Sequence, residues 1–220
     1  MNKIQQITEL KQAIINDQAC SQLASGAKQL VMGEGSLDAE IVFIGEAPGK
    51  KEDETGQPFV GAAGKFLNLM LESAGLERKD VYITNIVKYR PPNNRDPTNA
   101  EKQAFWPYLA RQLEVINPKA VVTLGRHSME FFLPEAKIGQ IHGQPVRQKV
   151  KYNDDKEHSL LIVPLYHPAA ALYNGSLRQV LIDDFTSITR LIWLIAGGFS
   201  FSAFALRECQ IILRQLIERL

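Results

Sequence analysis

The chain of 220 residues is poor in the features that most readily betray a function. It has only two cysteines, Cys20 and Cys209, too few for a disulfide scaffold or for a four-ligand metal site built from thiolates. It has no excess of charge: 25 basic residues against 24 acidic ones leave a net charge of +1. Affinity for a polyanion must therefore come from local patches rather than from the whole surface. No low-complexity tail is present, and no uncharged run reaches the roughly 20 residues needed to span a bilayer. The N-terminus, MNKIQQITELKQAIIND, is polar and helix-periodic and lacks the apolar core of a signal peptide. Neither G-x-x-x-x-G-K-[ST] nor G-x-G-x-x-G occurs near the glycine-rich loop GEAPGKKEDETGQPFVGAAG, residues 45–64, so the usual phosphate cradles are excluded. Glu46 would also repel a phosphate.

What is present is a set of short apolar runs. IVFIGE (41–46), VYITN (81–85), AVVTLG (120–125) and LLIVPLYH (160–167) have the β-branched, uninterrupted character of strands buried on both faces. Helical spacing appears over residues 60–75, over DPTNAEKQAFWPYLARQLEVI with its early Pro97, and over GRHSMEFFL. The alternation predicts a three-layer α/β/α sandwich around a central, mainly parallel four-stranded sheet. Such sheets bind ligands at the carboxyl ends of their strands. Gly45, Glu46, Asn85, Gly125 and His167, far apart in sequence, all fall at those ends.

GEAPG, KKED, GQPFVGAAG, YITNIVKYRPPNNRDP and HPAAAL, in this order and at these intervals, resemble the family 4 uracil-DNA glycosylases over residues 18 to 188. The resemblance implies an enzyme that flips deoxyuridine out of DNA and hydrolyses its N-glycosidic bond, giving free uracil and an abasic site in base excision repair. It implies Glu46 and His167 as catalytic residues, with Gly45, Ala47, Phe59 and Asn85 around the uracil. Asn85 carries a donor and an acceptor that match uracil O4 and N3–H, and Phe59 supplies an aromatic face. His167 can donate to O2 as charge builds there. Glu46 either orients the attacking water or supports the cationic sugar. Ala47 stands where some other glycosylase families carry an aspartate. Glu52 and Asp53 match an acidic pair of the family, with a solvated or helix-capping role competing. The histidines at 127, 142 and 158 read as surface or turn residues.

For DNA, the candidates are Lys65, Arg90, Arg95 and, beside them in the same loop, Lys88. PPNNRDP is equally good turn chemistry. Leu172 and Tyr173 come where the family wedges a loop into the duplex. The sequence departs from the family at the four ligands of its 4Fe-4S cluster: the corresponding positions read Cys20, Leu23, Tyr89 and Phe105. Three of the four offer no thiolate to a cluster, which predicts no cluster and no other metal. The competing reading is a catalytically silent binder of uracil, abasic DNA or nucleotides on the same fold. Residues 1–188 form the expected glycosylase-like domain, and 189–220 an apolar helical extension. Folding back on the domain, self-association and weak membrane association are its possible uses, in that order, without stable membrane insertion. A cytoplasmic location is expected.

Overall fold

The computed structural model describes residues 1–153 and 156–195, with side chains described outside 153–156 and up to residue 186. In chain order the elements are α1 (Lys3–Asn16), α2 (Ser21–Ala24), β1 (Glu34–Gly35), β2 (Ile41–Gly45), α3 (Lys50–Thr55), α4 (Ala62–Ser73), β3 (Tyr82–Asn85), α5 (Asn99–Ile116), β4 (Ala120–Leu124), α6 (Arg126–Phe132), α7 (Ile138–Ile141), β5 (Val146–Asn153), β6 (Lys156–Leu165), α8 (Ala170–Tyr173) and α9 (Gly175–Ile195). The sheet order is β1-β3-β2-β4-β6-β5. Its four inner strands are parallel, and β1 and β5 are antiparallel edges. The four expected strands are those inner ones. The two edges were not anticipated.

The period of two along each inner strand divides the core. Val42, Ile44, Val121 and Ile162 face one layer with Phe105, Leu109 and Leu113 of α5 and Ile14 of α1. Ile41, Phe43, Val122 and Leu165 face the other, with Phe66, Leu67 and Met70 of α4 and Phe185 of α9. Helix α5 starts where the sequence marks it: Thr98 accepts from the Glu101 N–H at 3.2 Å while Glu101 accepts from the Thr98 N–H at 2.7 Å, a capping box just after Pro97.

The positions matching the family's cluster ligands are closely packed. Leu23, Tyr89 and Phe105 are buried in the same core as α1 and α5, and Cys20 packs against it. Tyr89 and Phe105 meet edge-on at 6.0 Å. Burial pushes the Cys20 thiol pKa up, away from the thiolate that iron requires. One hindered thiol among apolar side chains does not fit a 4Fe-4S cluster.

Helix α9 continues through the expected boundary at 188/189. Residues 196–220, and with them most of the extension and its suggested uses, lie outside the described residues. Among the described residues no helix is long and apolar enough to cross a membrane.

Phe105→Ala is expected to destabilise the protein by about 3–5 kcal/mol, because it empties a fully enclosed site. Urea denaturation checks this as a fall in midpoint at unchanged slope.

Candidate active site

A cavity of about 430 Å³ opens at the carboxyl ends of the inner strands, lined by Glu46, Ala47, Phe59, Asn85 and His167 among others. Register brings the first of these together: Gly45 at the end of β2 pairs with Asn85 at the end of β3. A Cβ on Gly45 would meet the Asn85 Oδ1 and lie 2.6 Å from the Phe59 ring. Gly45 therefore sits behind the cavity wall and lets two wall residues close over it.

Phe59 has a left-handed backbone, φ 51°, which is strained for a bulky residue. Arg78 holds it there, donating to the carbonyls of Pro58 at 2.7 Å and Phe59 at 3.2 Å while pairing with Glu34 at 2.8 Å. Glu52 fixes the other flank, accepting from the N–H groups of Val60 and Gly61 at 2.9 Å each. Asp53, nearly fully buried, accepts from the Lys28 N–H at 2.8 Å. Both acids thus hold loop backbone, and neither caps a helix, since α3 and α4 start without a side-chain cap.

The Asn85 Oδ1 and Glu46 Oε1 are buried oxygens without a hydrogen-bond partner among the described residues, an arrangement that favours a ligand able to donate to them. Burial, then the nearby Asp96 charge, pushes the Glu46 pKa up to about 7, with Lys102 and Arg126 opposing. Burial pulls His167 down to about 4, so its imidazole is neutral at physiological pH. The Ala169 N–H donates to His167 Nδ1 at 3.1 Å, which assigns the ring proton to Nε2. Phe59 stacks on this ring at 5.7 Å and 26°.

His127, read in the sequence as a surface or turn residue, lies beside this cavity against two of its acids. Its Nε2 lies 3.6 Å from Glu46 Oε1 and 3.1 Å from Asp96 Oδ2, and Lys102 Nζ is 3.4 Å from its Nδ1. The strand-end rule that singled out Gly125 reaches Arg126 and His127, the next two residues. Glu46, Asp96 and His127 bring three potential metal-donor atoms within 4.8 Å of one another, but Lys102 and Arg126 already supply positive charge there.

The expected DNA contacts divide. Lys65 is exposed on the first turn of α4, and Leu172 and Tyr173 are 42% and 91% exposed. Arg90 is half-buried and donates to Asn94 Oδ1 at 2.7 Å. Arg95 lines the cavity but is held by both carboxylate oxygens of Glu101, at 2.8 and 2.6 Å. Lys88 is corrected outright: it is fully buried and cannot reach a phosphate, because its aliphatic stem carries the amine inward to acceptors of the fold.

The Uracil DNA glycosylase superfamily profile matches residues 32–187. The chain belongs to the uracil-DNA glycosylase superfamily. It is 48% identical to a type-4 uracil-DNA glycosylase of Sulfurisphaera tokodaii over 84% of either chain. It is 49% identical to one of Saccharolobus solfataricus, over 73% of this chain and 75% of that one. A third, of Thermotoga maritima, is 43% identical over 70% and 79%. These agree with the family that the five sequence segments resemble.

Glu46 binds its proton more tightly in the folded superfamily domain than in the unfolded chain, so its contribution to stability is complete below pH 4.5 and lost as pH rises to about 7. Glu46→Gln removes that loss. Its stability relative to the parent protein is expected to grow by about 1–2 kcal/mol across this window, after allowance for screening at the cavity mouth, and to stay level above it. Urea titrations at a series of pH values measure the difference.

Proposed function

We propose that the chain excises uracil from DNA, the observation that carries the reading being Asn85, whose buried Oδ1 has no hydrogen-bond partner among the described residues, held beside Phe59 and a neutral His167 in one cavity. The Asn85 Oδ1 accepts uracil N3–H and its Nδ2 donates to O4. Cytosine offers the reverse pattern and leaves the amide mismatched. Phe59 stacks on the flipped base, Ala47 lines the cavity beside it, and Gly45 backs the wall.

Cleavage breaks the bond between C1′ and N1, and the electron pair leaves with uracil. His167 Nε2–H donates to O2 as the negative charge builds. Ionised Glu46 faces the sugar, where it stabilises positive charge or takes a proton from the water whose oxygen bonds to C1′. Uracil then gains a proton, leaving free base and an abasic site for repair. Lys65, Arg90 and Arg95 approach the DNA backbone, Arg95 in competition with Glu101. Leu172 and Tyr173, exposed just beyond His167, fill the space that the flipped nucleotide leaves.

The chemistry uses neither iron-sulfur cluster nor metal, a reading supported by the apolar packing of Leu23, Tyr89 and Phe105. Action on DNA and the free Cys20 thiol support a cytoplasmic location.

An oligonucleotide with a single uracil, beside thymine and cytosine controls, tests the proposal. Alkali-sensitive sites are expected with uracil alone, from protein without iron or labile sulfide, and His167→Ala is expected to lower the single-turnover rate by about 10²- to 10³-fold. Binding of the uracil strand without product, by folded protein, would favour the silent module instead. Four irons per chain would overturn the metal-free reading.

A further inference from the structure

Lys88, three residues past the end of β3, is fully buried, and among the described residues no carboxylate pairs with it. Lysine is almost never enclosed in this way without a counter-charge. The surroundings are nevertheless built for an ammonium group. Its Nζ donates to Thr84 Oγ1 at 2.6 Å, to the Asn85 carbonyl at 2.8 Å and to Gln112 Oε1 at 2.8 Å, with the Met32 carbonyl farther off at 3.4 Å.

All three close partners are acceptors. Thr84 uses its own hydroxyl hydrogen on the Met32 carbonyl at 2.8 Å. Gln112 Nε2 donates to the Met32 carbonyl at 3.0 Å and to the Tyr82 hydroxyl at 2.7 Å, which turns its oxygen toward Lys88. A neutral amine has two N–H groups and an ammonium three, so the three acceptors are matched only by the charged form. Burial pulls the other way, lowering the Lys88 pKa to about 7. The groups packed around it come from β3, from the segment before β1 and from α5. None carries a charge, and burial keeps the Tyr82 hydroxyl neutral.

Two of the three short hydrogen bonds fall on residues 84 and 85, and Asn85 presents its amide to the cavity. We propose that Lys88 is a positioning residue for excision, pinning the backbone of Asn85 and holding behind it one unneutralised positive charge that stabilises the anion forming on the departing uracil. The inference rests on the glycosylase reading above. When the bond to C1′ breaks, the electron pair spreads from N1 to O2 and O4, and O4 is the atom bound by the Asn85 amide. Lys88 transfers no proton; its charge acts through a dry interior where screening is weak.

Two variants separate this electrostatic role from a purely structural one. Lys88→Met removes the charge. Gln112→Glu keeps the shape but sets a carboxylate against the ammonium, and it carries the test alone if Lys88→Met does not fold. Single-turnover rates are measured at slightly acidic pH on oligonucleotides bearing uracil or 5-fluorouracil, whose fluorine makes the base a better leaving group that needs less help. Each folded variant is expected to lose about 30-fold on uracil but only about threefold on 5-fluorouracil, with little change in DNA affinity. Equal losses on the two bases, or a parental uracil rate for Gln112→Glu, would overturn the proposal. A parent protein inactive on both bases would instead remove the glycosylase reading beneath it.

Discussion

At Gly45 the chain has no room for a side chain, and the rest of the site follows from that. The parallel register sets Gly45 beside Asn85, and the missing Cβ lets the Asn85 amide and the Phe59 ring close over the end of β2. The next residue, Glu46, is thereby placed on the same cavity wall. Phe59 reaches its place only in a left-handed conformation, and the surrounding structure supports it. Arg78 ties down the carbonyls on either side of the bend, and Gly64 leaves room for the Phe59 carbonyl. Local strain is tolerated because several contacts determine the geometry at once.

The same enclosure sets the charges. Burial raises Glu46, lowers His167 and lowers Lys88, always toward the neutral form. The consequences differ by position. A neutral His167 with its proton on Nε2 is a donor that needs no deprotonation before it meets a carbonyl oxygen. Glu46, raised by burial and by Asp96 and opposed by Lys102 and Arg126, gains its charge near neutral pH. The apolar side chains of Leu23, Tyr89 and Phe105 belong to the layer of α1 and α5, where they join one close-packed core.

The inner strands were legible because burial on both faces leaves an uninterrupted apolar run. The edges were not. Strand β1 has two residues and no period to detect. In β5 Arg147, Lys149 and Lys151 are exposed, alternating with buried Val150 and Tyr152. That alternation is a signal, but its charges resemble a solvated loop until β6 is known to lie beside it. At the site, residues at strand ends could be found because topology converges there. His127 and Arg78 could not be found as easily, since their roles depend on distances to Asp96, Glu46 and the Phe59 carbonyl. Lys88 read as a surface cation because its acceptors include Met32 and Gln112, remote in sequence.

The claim that close approach at Gly45 assembles the site is most directly tested by the single-turnover excision rate of Gly45→Ala on a uracil oligonucleotide, with thermal unfolding measured on the same sample. The added methyl should push Asn85 and Phe59 apart by a fraction of an ångström to about 1 Å, and the account expects a rate loss of about 100-fold in protein that still unfolds cooperatively. A folded variant that excises uracil at the parental rate would contradict it.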